Sequence, residues 1–109
     1  MPTTYKVLGQ VAPSATTNTT LDTVPSATQA VVSTIAVCNR AATAATYRIA
    51  VRPAGATLAN EHYIAYDVTI SANNSTFITV GVTLAATDVI TVYASTANLS
   101  FSAFGSEIS

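Results

Sequence analysis

The chain has 109 residues, half of them apolar, with only 8% charged residues and a formal net charge of −1. That length fits a single domain spanning 1–109 around one core. Its four cations, Lys6, Arg40, Arg48 and Arg52, are too few to neutralise a phosphate backbone or to hold an anionic bilayer surface, which argues against nucleic acid and membrane as partners.

Charge near 8% stands against about 25% in ordinary soluble domains. A Thr/Ser/Ala-rich surface without charge is expected to be covered by a partner, since free monomers lean on charge for solubility. No apolar run approaches the roughly 20 residues of a membrane-spanning helix. The start, MPTTYKVLGQ, lacks the layout of a secretory signal, so synthesis in a cytosol is expected. Cys38 is the single cysteine and leaves no intramolecular disulfide.

Along the chain the apolar period is two, and β-branched residues dominate. Tyr5 to Val11 reads as a first strand interrupted by Gly9, followed by a loop from Ala12 to Thr17. Thr19 to Val24 is a short strand ended by Pro25 and Ser26. Gln29 to Cys38 is the strongest strand, apolar on both faces and therefore central. Val31, Ser33, Ile35 and Val37 are expected on one face, with Val32, Thr34, Ala36 and Cys38 on the other. The alanines of 41–45 favour helix, but five residues between strong strands are too few, so a hairpin loop is expected. Thr46 to Arg52 alternates, with Tyr47, Ile49 and Val51 inward and Arg48 and Arg52 outward. The arginines are expected to pair with carboxylates on a neighbouring strand or subunit, Glu61 and Asp67 being the candidates.

Pro53, Ala54 and Gly55 carry turn chemistry. His62 to Ile70 is a further strand, and Ser71 to Asn74 a turn. Ser75 to Leu84 follows, with Gly81 as a bulge or close-approach site. Ala85 to Asp88 turns, and Val89 to Ala94 and Leu99 to Phe104 close the pattern. About eight short strands punctuated by turns predict an all-β fold, an antiparallel β-sandwich of jelly-roll type. The predicted core is Val7, Leu21, Val31, Ile35, Val37, Tyr47, Ile49, Val51, Ile64, Ile70, Phe77, Val80, Ile90, Val92 and Phe101.

Chemistry-bearing residues are sparse. His62 is the only histidine. Its neighbour Glu61 would point to the opposite face of a strand, so the pair makes no catalytic dyad. Cys38 ends the most apolar strand, where an inert, buried thiol is expected rather than a nucleophile. Asp22, Asp67 and Asp88 show no metal-ligand spacing. No catalytic, cofactor-binding or metal residue is therefore assigned, no cofactor is expected, and enzymatic activity is not expected. Asn18, Asn73, Asn74 and Asn98 fall in Asn-x-Ser/Thr triplets, which arise by chance in so Thr/Ser-rich a chain. Tyr47, Tyr63, Tyr66 and Tyr93 could form a sugar platform, but packing in a core or interface is the expected use.

Three segments carry a resemblance. They are TVPSATQAVVSTIAVCNRAATAATYRIAVRPAGA (23–56), NEHYIAYD (60–67) and LAATDVITVYASTANLSFSAFGSEIS (84–109). Over most of its length the chain resembles small virion structural proteins of tailed bacteriophages, of the marine and cyanobacterial type. That family supplies no catalytic residues. It has a tyrosine before the TVP segment where this chain has Asp22. An aspartate cannot fill an aromatic slot, so the strand from Thr19 to Val24 is expected at an edge, or to differ here.

The resemblance implies a viral protein located in the virion and assembled in the cytoplasm of a bacterial host. The expected role is a capsid decoration (cement) protein, a homotrimer bound to the major capsid protein or other virion proteins. The alternatives are a neck, tail or fibre component, or a carbohydrate-binding adhesin module on a fibre. Residues 1–4 and 105–109, nearly uncharged, are the expected docking elements.

Overall fold

β-branched residues at period two give eight strands in the computed structural model, which describes residues 3–109. They are β1 (Thr3–Val11), β2 (Thr19–Thr23), β3 (Gln29–Asn39), β4 (Ala45–Arg52), β5 (Tyr63–Ile70), β6 (Ser75–Leu84), β7 (Val89–Ala94) and β8 (Leu99–Ile108). Two short 3-10 turns, Pro53–Gly55 and Asn60–His62, fill the connection between β4 and β5. The strands form two four-stranded antiparallel sheets, ordered β1-β8-β3-β6 (sheet A) and β2-β7-β4-β5 (sheet B). This is the strand order of a jelly roll, the fold expected from the sequence.

Only β4 and β5 are consecutive strands paired side by side; every other connection crosses between sheets. The segment 41–45 is thus an inter-sheet crossing and not the expected hairpin. Short polar connections look alike in sequence whether the chain returns to the same sheet or changes sheet.

Asn39 holds that crossing. It is 1% exposed. Its Nδ2 donates to the carbonyls of Thr43 (2.9 Å), Ser71 (3.2 Å) and Ile70 (3.4 Å), and its Oδ1 accepts from the Ala41 N–H at 3.0 Å. One buried amide therefore ties the end of β3 to both loops beside it, satisfying backbone groups that burial would leave orphaned.

The core lies between the sheets, with Tyr47 of sheet B meeting Phe101 of sheet A edge-on at 6.2 Å. Leu21, Ile35, Val37, Tyr47, Ile49, Ile70, Ile90, Val92 and Phe101 are buried as expected, and Val51 and Val80 pack against them partly buried. The rest of the expectation fails at bulges and edges. In β3 the register slips around Ser33, whose hydroxyl donates to the Phe104 carbonyl at 3.1 Å. Ala30 and Val32 face inward before it; Ile35, Val37 and Asn39 do so after it. Strict alternation therefore misplaces Val31, which is half-buried.

A second bulge at Leu8 buries Leu8 and leaves Val7 exposed. Ile64 and Phe77, also expected in the core, are exposed on the edge strands β5 and β6. Gly81 sits at φ +58 where β6 gains a residue against β3, the expected bulge. The expected docking termini are paired strands: Thr3 and Thr4 lie in register with Ile108 and Glu107. Met1 and Pro2 lie outside the described residues.

Candidate functional site

The densest grouping of polar and aromatic side chains forms on the outer face of sheet B. Arg48 of β4 faces outward, in register with Tyr93 of β7. On its other side β5 bulges, so that Tyr66 and Asp67 together oppose Arg48. Asp67 takes φ +52, and this turn of the backbone brings its carboxylate to the arginine. Asp67 accepts from Arg48 Nε at 2.7 Å and from Nη2 at 3.4 Å.

The guanidinium carbon lies 4.3 Å from the ring centroids of both Tyr66 and Tyr93. Tyr63 meets Tyr66 edge-on at 4.8 Å. The Asp67 carboxylate, first through its hydrogen bond, pushes the Arg48 pKa further up, so the cation is permanent. The result is a row, Tyr93–Arg48–Tyr66–Tyr63, held by cation–π and ion-pair contacts.

Asp67 takes Nε and Nη2 of the arginine, and Tyr66 is flanked by the guanidinium and by Tyr63 yet stays 56% exposed. The row therefore presents rigid, partly exposed aromatic surface, a form suited to packing or contact. Tyr47, the fourth tyrosine considered, is 2% exposed in the core. There burial pushes its hydroxyl pKa up.

Arg52 also faces out, as expected, but finds no carboxylate. It donates to the carbonyls of Ala56 (2.7 Å) and Gly55 (3.0 Å) and to the Thr91 hydroxyl at 3.2 Å, clamping the turn after β4. Glu61 is not its partner, which corrects that expectation. Asp88 accepts from the N–H groups of Ala54 and Ala85, each at 2.8 Å, and joins two turns.

His62 lies on the 3-10 turn rather than in a strand, and its Nδ1 accepts from the Ala59 N–H at 3.1 Å. Cys38 is a free thiol but only half-buried. The bulge at Ser33 sets it on the outer face, in register with Ser75 and Ser100. Among the described residues no three acids, histidines or cysteines gather as a metal site.

The two flanks of the sandwich differ. Where β1 and β2 meet, Leu8, Leu21 and Asp22 are nine-tenths buried or more. Asp22 has its Oδ2 without a hydrogen-bond partner. Burial raises its pKa first and the Glu107 charge second, opposed by Lys6 and the Thr23 N–H. Lys6 pairs with Glu107 at 3.0 Å. As expected from the Asp22 position, β2 is an edge strand.

Where β5 and β6 meet, the sheets gape. Ile49, Ile64, Ala65, Ile78, Val80 and Val82 line an apolar cleft of about 160 Å³. Ile64, Tyr66, Val68 and Phe77 are exposed around it, with Phe77 at 69%. No signal of residue type marked this surface beforehand. The available clue was the absence of any charge from Val68 to Thr87.

No family model, curated protein or solved structure matches the chain.

Proposed function

We propose that this protein is a virion structural subunit of a tailed bacteriophage. In this reading it is a decoration protein that binds the outside of the capsid as a homo-oligomer, with three copies around a local three-fold position. One observation carries it. All six large apolar side chains that stand exposed among the described residues, Tyr5, Val7, Ile64, Tyr66, Val68 and Phe77, lie on the edge strands β1, β5 and β6. A sandwich with apolar edges and few charges is built for edge contact with neighbours.

The resemblance of segments 23–56, 60–67 and 84–109 to phage virion proteins supplies the setting. A closed ring of three satisfies every copy of a head-to-tail contact. Among the described residues His62, Cys38 and Asp88 sit in three different local structures, which suits a structural role.

The test is quantitative mass spectrometry of purified particles of a phage encoding the chain, with antibody labelling. Hundreds of copies on the head are expected. A dozen or fewer on the tail would replace the capsid role with a neck or tail one, and absence from the particle would overturn the proposal.

A further inference from the structure

We infer that the β5/β6 flank is the surface on which a second copy of this chain docks, through the free edge of β6 and the apolar cleft beside it. The inference rests on the reading of the protein as a homo-oligomeric subunit; flank on flank is a two-fold contact between copies, distinct from the head-to-tail contact of a ring of three.

The chemistry of the edge identifies the kind of partner. β6 pairs with β3 alone, so the main-chain groups on its other side have no ladder partner. The natural complement of such a row is another strand edge. Native edge strands are guarded by lysine, proline or inward charges. β6 has none of these, only the bulge at Gly81. Behind it, Ile78, Val80 and Val82 face the gap between the sheets but stay half-buried, because β5 does not cover them.

The charge pattern identifies the partner as another copy. No charged residue occurs from Val68 to Thr87, and the one charge on these two strands, Asp67, is already held by Arg48 of the same chain. A foreign protein is usually selected by charge complementarity at its rim, and here no unpaired charge is offered. Two copies of this flank meet without unpaired charges of like sign. The size is also adequate. A ten-residue strand at about 3.3 Å per residue and two sheets about 10 Å apart plus side chains make a flank of roughly 30 by 20 Å. That is about 600 Å² per copy, at the lower bound of stable specific interfaces.

The experiment is sedimentation velocity of the full chain from micromolar to near-millimolar concentration, with hydrogen exchange at 75–84. Wild type is expected to self-associate, with slower exchange in β6 as it does so. Phe77→Asp with Val68→Asp should weaken association at least tenfold and keep the circular dichroism spectrum, since both side chains are exposed in the single chain.

An oligomer that the double variant leaves intact overturns the assignment of this flank. If Tyr5→Asp disperses that oligomer instead, the homo-oligomer reading survives and this inference alone fails. A wild-type chain that stays monomeric throughout overturns the inference, and the particle copy number then judges the virion reading separately.

Discussion

The two flanks of this sandwich solve the same problem in opposite ways. At β1/β2 the sheets close on each other. Gly9 lets the β2 backbone come so near that a Cβ there would collide with the Leu21 carbonyl, and Lys6 and Glu107 pair nearby. At β5/β6 the sheets stay apart, the bulge glycine Gly81 has nothing within 4 Å of where its Cβ would be, and the one charge on these strands, Asp67, is drawn to Arg48 on the outer face of sheet B. A closed flank guarded by an ion pair protects one edge of the molecule. An open one, with no charge in β6, leaves the other incomplete as a single chain.

The comparison breaks most visibly at the two glycines. Gly9→Ala must push backbone against backbone and should cost about 3 kcal/mol. Gly81→Ala meets only the strain of φ +58 and should cost about 1 kcal/mol. Urea denaturation of the two variants checks this. Equal costs would mean that β1 and β2 are not in close contact.

How much of this was legible beforehand follows from the same contrast. The strands and the sandwich were readable because period-two apolarity does not depend on which sheet a strand joins. The inward face of β4 was readable because Tyr47, Ile49 and Val51 alternate with arginines over a stretch where inward and outward faces stay in step. The faces of β1 and β3 were not, because bulges at Leu8 and Ser33 change the phase, and the glycines at these shifts, Gly9 and Gly81, mark an irregularity without telling which residue is skipped.

Phe77 and Ile64 read as core in the sequence because apolar residues on an edge are indistinguishable from buried ones until the neighbouring strand is known to be missing. The Arg48–Asp67 pair was foreseeable from charge scarcity. The Tyr93–Arg48–Tyr66 row was not, since it depends on a bulge in β5.

A second test compares packing. Val37 is wholly buried between β6 and β8, whereas Val80 looks into the open cleft. Val37→Ala should cost about 2–3 kcal/mol, from two lost methyl groups and the cavity left behind. Val80→Ala should cost about 1 kcal/mol in dilute monomer, because water and the cleft already border it. At concentrations where the chain self-associates, the Val80 cost should grow while the Val37 cost stays fixed. A Val80 cost as large as that of Val37 in the monomer would show that the cleft is closed in solution.

The smallest effect is expected at the closed flank, where Asp22 carries a buried oxygen without a partner. Its pKa in the folded chain is raised above the ordinary 3.8, first by burial and second by Glu107. The folded state therefore holds a proton that the unfolded chain releases once pH exceeds 3.8. Stability from this group is greatest below that value, falls as pH rises through the folded pKa, and is level above it. Asp22→Asn removes the ionisation and should gain on wild type more at pH 7 than at pH 3. Lys6→Met should steepen the wild-type fall, because Lys6 lowers the Asp22 pKa. Urea melts of the three proteins at the two pH values decide it. A wild-type-to-Asn difference that is the same at both would mean that Asp22 is solvated, and that the closed flank is looser than its packing implies.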